Sequence, residues 1–143
     1  MNILLVYGNT YEYLSPQPIG MSLLTKPLRN AGHQVHVLDF MKVKDTDALL
    51  TVALEKHKPD LVGFSLRNID SQKYQDTTDF IPDYVRWVKI ASKTAHTIIG
   101  GSAVMSMSEK MFEHVGSTYG MVGQGDKTFP LFLEELKIRT SGF

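Results

Sequence analysis

Five apolar runs, each followed by a helix-like segment, constrain the fold of this chain more than any other feature. The first run, residues 3–7, is continuously apolar, which is typical of a strand buried on both faces of a parallel sheet. Strands and helices that alternate in this way predict an α/β fold with helices on both faces of the sheet. For five strands we expect a parallel, doubly wound, Rossmann-like or flavodoxin-like sheet with the order 2-1-3-4-5.

The boundaries of these elements follow from breaker and capping residues. Strands are predicted at residues 3–7, 34–39, 60–65, 95–99 and 119–122, and helices at about residues 19–31, 45–58, 79–92, 106–116 and after 123–126. Asp45 or Thr46 is expected to cap the second helix. Ser106-Met107-Ser108-Glu109 has the form of a capping box, so we expect the fourth helix to begin there.

Composition excludes several classes of function. The 143 residues predict a single domain, residues 1–143, with 15 basic and 15 acidic side chains and no net charge, which gives no electrostatic reason to expect nucleic acid or an anionic membrane as a partner. The absence of cysteine excludes thiolate metal sites and iron–sulfur clusters within the chain. The apolar start lacks a basic leader and is too short for a signal segment, so we expect a cytoplasmic protein.

The long connections predict where the ligand surface lies. The two longest, residues 8–18 and 66–78, follow strands one and three, which flank the switch point of the predicted order. Gly100-Gly101 and Gly123-Gln124-Gly125 end the next two strands on the same rim, and glycine permits close backbone approach to a ligand. Four loops are therefore expected to form one large ligand surface.

Each of these residues also has a purely structural interpretation. Arg67 could pair with Asp70 or Asp60, and Asn68 could be a turn residue that satisfies its own backbone. Gly100-Gly101 could be a tight strand exit. The aromatic rings of residues 11 and 13 could pack beneath the first loop.

A family resemblance is carried by three segments in register with these loops. They are Ser65-Leu66-Arg67-Asn68-Ile69-Asp70, Ile99-Gly100-Gly101-Ser102-Ala103 and Val122-Gly123-Gln124-Gly125-Asp126. Together with Pro18-Ile19-Gly20-Met21, they resemble the cobalamin-binding (vitamin B12-binding) domain found N-terminal in radical S-adenosylmethionine enzymes. The resemblance covers essentially the whole chain.

The resemblance implies a binding site for cobalamin. It implies that the nucleotide tail inserts into the domain, with Ser65 lining its channel and Gly100 and Gly101 admitting it, while the corrin ring lies on the strand ends. The implied cofactor-binding residues are Asn9, Tyr11, Tyr13, Pro18, Ser65, Leu66, Arg67, Asn68, Ile69, Asp70, Gly100, Gly101, Ser102, Gly123 and Gly125. The domain would present the corrin to a radical S-adenosylmethionine domain, in cis or in trans, for methyl transfer or related chemistry, without being catalytic alone.

Two departures from the family pattern leave points open. The loop after strand one contains no histidine to ligate cobalt, so water, no ligand, or a side chain such as Tyr11, Tyr13 or Asn68 are alternatives for its lower face. The chain also lacks the three-cysteine motif of the family's downstream barrel. A 4Fe-4S cluster and S-adenosylmethionine are therefore expected only in a missing downstream domain, and the chain is expected to be an excised domain or a free-standing homologue.

Two other functions fit the same fold. A flavodoxin-like electron carrier would bind flavin mononucleotide, with Gly8-Asn9-Thr10 at its phosphate, although that loop lacks the run of hydroxyl residues such a site favours. A receiver-like signalling domain needs an acidic pair after strand one, where this chain has Tyr7, Gly8 and Asn9.

Overall fold

Strands and helices alternate along the chain in the computed structural model, which describes residues 1–11, 17–75 and 77–141. The strands are β1 (Asn2–Tyr7), β2 (Gln34–Asp39), β3 (Leu61–Ser65), β4 (His96–Gly100) and β5 (Tyr119–Gly120). The α-helices are α1 (Ile19–Asn30), α2 (Thr46–His57), α3 (Ile81–Ala91), α4 (Glu109–Val115) and α5 (Gly125–Ser141). The sheet is parallel with the order β2-β1-β3-β4-β5, which confirms the predicted order.

The two faces of the sheet carry separate hydrophobic cores because side chains alternate along each strand. On one face, Leu4 and Val6 of β1 belong to a cluster that also contains buried residues of α2, α3 and α4. On the other face, Ile3, Leu5 and Tyr7 join residues of α1 and α5. Helices α1 and α5 therefore cover one face of the sheet, and α2, α3 and α4 cover the other.

The observed caps refine the start of one helix and correct the start of another. Asp45 caps α2 through its Oδ1, which accepts a hydrogen bond from the Ala48 N–H at 2.9 Å. The prediction that the fourth helix begins at Ser106 is wrong. Residues 102–106 form a 3₁₀ helix, Met107 is extended, and Ser108 caps α4 by accepting from the Met111 N–H at 3.2 Å.

Two further elements are shorter than the pattern predicts. The third helix begins at Ile81 rather than Asp79, because Asp79 pairs with Asp70 in an antiparallel bridge and its carboxylate accepts a hydrogen bond from the Ile81 N–H. Strand β5 ends at Gly120, two residues before its predicted end, and Val122 beyond it is 64% exposed. Within the described residues, no helix is long and apolar enough to span a bilayer.

Candidate functional site

The carboxyl ends of three central strands meet in one row at the rim of the sheet. Tyr7, Ser65 and Gly100 are neighbours in the parallel register of β1, β3 and β4. Two residues below them, Leu5, Gly63 and Ile98 form a second row on the same face. Because β3 contributes only serine and glycine to these rows, the centre of the sheet is poorly filled on the side covered by α1 and α5.

A cavity of about 610 Å³ occupies this space and opens at the strand ends. Six of the predicted site residues line it: Ser65, Gly100, Gly101, Ser102, Gly123 and Gly125. Helices α1 and α5 contribute Met21 and Phe129 to its other side. The structure thus brings residues from the ends of β3, β4 and β5 together around one deep pocket.

Gly63 keeps the lower part of the cavity open. A Cβ at this position would lie 3.0 Å from Cδ2 of Leu5, 3.5 Å from Cγ2 of Ile98 and 3.9 Å from the Phe129 ring. Any larger side chain would therefore extend into the space between sheet and helices. The sequence interpretation missed Gly63, yet a glycine inside a buried central strand is a signal of close approach by a ligand or another chain segment.

The loops after β3 and β4 are fastened to each other through main-chain hydrogen bonds. The Leu66 N–H donates to the Gly100 carbonyl at 2.7 Å, and the Ala103 N–H donates to the Leu66 carbonyl at 3.2 Å. The Ser102 hydroxyl donates to the Arg67 carbonyl at 3.1 Å. The Leu66 side chain is fully buried in the core, so it packs below this junction rather than on the rim.

Gly101 is required by this junction. Its φ is +110°, and a Cβ would lie 2.4 Å from the Leu66 carbonyl oxygen. An L-residue rarely adopts such a backbone conformation, and no side chain fits at that distance. The close approach of the Leu66 main chain therefore supports the interpretation of Gly100-Gly101 as a tight strand exit. Both glycines also line the cavity.

A buried tyrosine fixes the end of β3 from the opposite face of the sheet. The Tyr84 hydroxyl of α3 donates to the Ser65 carbonyl at 2.7 Å. Burial raises the pKa of Tyr84, so the hydroxyl remains protonated and continues to donate. A Cβ on Gly8 would lie 2.4 Å from this hydroxyl oxygen, which accounts for glycine directly after β1.

The polar segment after Ser65 lies at the surface of the rim. Arg67 and Asn68 are exposed, while Ile69 is half-buried and packs against the core. Within the described residues Arg67 forms no ion pair, and Asp60 lies at the opposite end of β3, where its Oδ2 accepts from the Asn2 N–H. The Asp70 carboxylate accepts from the Gln72 N–H at 2.8 Å and so stabilises a turn.

Of the loop that follows β1, the structure describes residues 8–11 and 17–18. The Asn9 side-chain oxygen accepts from the Tyr11 N–H at 3.2 Å. The Tyr11 ring packs edge-on against Phe80, with 6.1 Å between centroids, and Lys73 Nζ lies 5.5 Å from the Tyr11 centroid. This contact agrees with the structural interpretation of Tyr11, whereas Tyr13 lies outside the described residues.

The remaining predicted residues lie where α1 and α5 begin. The Pro18 carbonyl accepts from the Met21 N–H at 3.0 Å in the first turn of α1. Gly123 has a φ of +104° and faces open space. Gly125 is the first residue of α5, and a Cβ there would lie 3.0 Å from Leu24 Cδ2.

Histidines lie away from the cavity, and the described residues contain no cluster of three or more histidine, cysteine, aspartate or glutamate side chains that could hold a metal ion. His36 and His57 stack at 3.9 Å beside β2, and His33 is buried near the amino terminus. The cavity and its rim therefore offer space, main-chain groups and a few polar side chains, which suits an organic ligand.

Comparisons with known proteins agree with this geometry. A family model described as "B12 binding domain" matches residues 6–133. A hopanoid C-3 methylase of Methylococcus capsulatus is 26% identical over 132 residues, which cover 91% of this chain and 24% of that protein. A tryptophan 2-C-methyltransferase of Streptomyces laurentii is 27% identical over 113 residues, covering 77% and 19%.

A solved structure has the same fold. It is the radical S-adenosylmethionine methyltransferase TsrM from Kitasatospora setae, with cobalamin and a 4Fe-4S cluster bound. The TM-score is 0.85 at 24% identity, over 95% of this chain and 24% of that one. This chain thus spans about a quarter or less of the relatives it matches. The matches do not favour the flavodoxin-like alternative, and because the family model spans most of the 143 residues, the chain belongs to the B12-binding domain family.

Proposed function

We propose that this domain holds cobalamin with its nucleotide tail in the cavity between the sheet and helices α1 and α5, and with its corrin ring across the strand ends. The observation that carries the proposal is the cavity of about 610 Å³ that opens at the rim and continues down to Gly63. A packed α/β domain leaves few voids of this size between a sheet and its covering helices. A glycine in the middle of the central strand supports a ligand there.

The rim supplies groups suited to the periphery of a corrin, which carries amide side chains. Arg67 and Asn68 are exposed beside the mouth of the cavity and offer hydrogen-bond donors, and the Asn68 amide offers an acceptor as well. Tyr84 and the paired loops hold the neighbouring main chain in one conformation. Bound cobalamin would supply the cobalt chemistry, while the chain binds and orients it.

We further propose that a radical S-adenosylmethionine domain, in cis or in trans, covers the exposed corrin in the cytoplasm. The apolar side chains of Ile19, Leu23, Met105 and Val122 are between 62% and 71% exposed, and two of them, Leu23 and Met105, line the cavity. An exposed apolar rim is typical of a surface that another domain covers. The chain has no cysteine, so an iron–sulfur cluster would belong to that second domain.

A size series at Gly63 tests the tail placement. The wild type, Gly63→Ala and Gly63→Leu variants are titrated with hydroxocobalamin, and with cobinamide, which lacks the nucleotide tail. We expect Gly63→Leu to weaken cobalamin binding by at least about tenfold, or ~1.4 kcal/mol, because leucine fills the channel, and Gly63→Ala to have a smaller effect. Cobinamide binding should be the same in all three proteins.

The same titrations separate the alternatives. If Gly63→Leu, shown to be folded by circular dichroism, binds cobalamin as tightly as the wild type, the tail does not enter this cavity. A wild-type chain that retains flavin mononucleotide and no corrinoid would support the electron-carrier alternative instead.

A further inference from the structure

The cavity has an uneven distribution of polar groups. Its polar and charged side chains lie towards the mouth: Ser65 ends β3, Ser102 follows β4, Gln124 precedes α5, and Asp126 and Lys127 lie in the first turn of α5. The floor, two residues deeper, consists of Leu5, Gly63, Ile98 and the Phe129 ring. The three floor side chains are apolar and at most 4% exposed.

The main chain at the floor also has no free polar groups to offer. Strand β3 lies between β1 and β4, and Gly63 is paired with Leu5 on one side and Ile98 on the other. In the interior of a parallel sheet the N–H and C=O groups are taken up by the ladder. A polar atom that reached this floor would therefore lose its water without gaining a hydrogen bond.

Resting on the proposed function, we propose that this floor makes the domain selective for the lower base of the corrinoid. It accepts a base whose six-membered ring is apolar, as in a benzimidazole or a phenol, and disfavours a purine. Benzimidazoles and purines share the imidazole nitrogens, but the six-membered ring of a purine adds two nitrogens and, in adenine, an exocyclic amine, all of which are hydrogen-bonded in water. Leaving a buried polar group unpaired costs about 1–3 kcal/mol, so the adenine-containing cobamide should bind about 5- to 150-fold more weakly.

The test compares corrinoids that differ in the lower base. The chain is titrated with a p-cresolyl cobamide, an adeninyl cobamide and cobinamide, all in the methylated form and followed by absorption and calorimetry. The phenolic base does not coordinate cobalt, and the adenine base does so weakly. The free energy needed to detach the lower base from cobalt therefore contributes little to the difference in affinity between the two cobamides. We expect p-cresolyl cobamide to bind tightest.

A matched pair of variants locates the selectivity. Ile98→Val and Ile98→Thr remove similar volume, but threonine places a hydroxyl at the floor. Ile98→Val should keep the wild-type preference, whereas Ile98→Thr should reduce it about fivefold or more, because the hydroxyl can pair with the purine. If Ile98→Thr does not fold, the ratio of the wild-type affinities for p-cresolyl and adeninyl cobamide still tests the selectivity.

Each contrary outcome identifies what has failed. Equal affinity of the wild type for the adeninyl and p-cresolyl cobamides overturns the selectivity and leaves the proposed function standing. Cobinamide that binds as tightly as p-cresolyl cobamide overturns it as well, because the tail then gains nothing from the cavity. Failure of every corrinoid to bind overturns the proposed function and the selectivity together.

Discussion

Replacing Gly101 by alanine should destabilise the domain far more than replacing its neighbour Gly100. At position 101 the new Cβ would lie 2.4 Å from the Leu66 carbonyl oxygen and 2.9 Å from its nitrogen, at a φ of +110°. At position 100 the nearest atom would be the Met121 carbonyl oxygen at 3.7 Å, an ordinary van der Waals contact. The two variants therefore form a matched pair, with the same chemical change in adjacent residues.

The size of the effect follows from what the junction would lose. A strained backbone conformation costs about 1–3 kcal/mol. Moving the loops apart also weakens the hydrogen bonds from Leu66 to Gly100 and from Ala103 to Leu66, each worth about 0.5–1.5 kcal/mol. We expect Gly101→Ala to lower the free energy of unfolding by roughly 2–5 kcal/mol, and Gly100→Ala to stay within about 1 kcal/mol of the wild type.

Urea unfolding followed by circular dichroism measures both variants. The midpoint should fall clearly for Gly101→Ala, with little change in the slope of free energy against urea. Equal midpoints for the two variants would refute this account of why residue 101 is glycine. Corrinoid binding by Gly101→Ala is expected to weaken as a consequence of the displaced loop.

Two further predictions concern buried groups. Tyr84→Phe removes the hydrogen bond to the Ser65 carbonyl and should lower the free energy of unfolding, measured in urea, by about 1–3 kcal/mol. The control variant Tyr119→Phe should change it by less than about 0.5 kcal/mol. Equal effects of the two variants would contradict the role given to Tyr84. Burial lowers the pKa of His33 below its ordinary value of 6.5, so the unfolded chain takes up a proton on this residue at a higher pH than the folded chain does. The free energy of unfolding should therefore fall as the pH drops below 6.5 and level off below the lowered pKa of the folded state. His33→Gln should reduce this slope in thermal melts between about pH 7.5 and 5.5, and an unchanged slope would contradict the role given to His33.

Much of the architecture could be predicted because it depends on local patterns. Continuous apolar runs such as residues 3–7 indicate buried parallel strands, and the long connections after strands one and three mark the switch point. Ser65, Gly100 and Gly123 were expected on one surface for this reason, and the structure places all three around the cavity.

The missed features depend on contacts between distant segments. In the sequence, Gly63 is only a glycine that weakens a strand. Its role depends on Leu5, Ile98 and Phe129, which the fold brings beside it from other elements. Gly101 lines the cavity where a ligand is expected, but the need for glycine there comes from the main chain of Leu66, which the sequence does not place beside it. Ser106 and Ser108 are both serines of the same motif, and the 3₁₀ helix at residues 102–106 decides which one caps α4.

Nuclear magnetic resonance can locate the nucleotide tail of the bound cofactor. The chain is labelled with ¹³C at leucine and isoleucine methyl groups and mixed with methylcobalamin, whose lower base carries two methyl groups. If the tail lies in the cavity, we expect intermolecular nuclear Overhauser effects between these methyl groups and those of Leu5 and Ile98 at the cavity floor. Effects confined to rim residues such as Leu23, with none at Leu5 or Ile98 in a saturated complex, would contradict it.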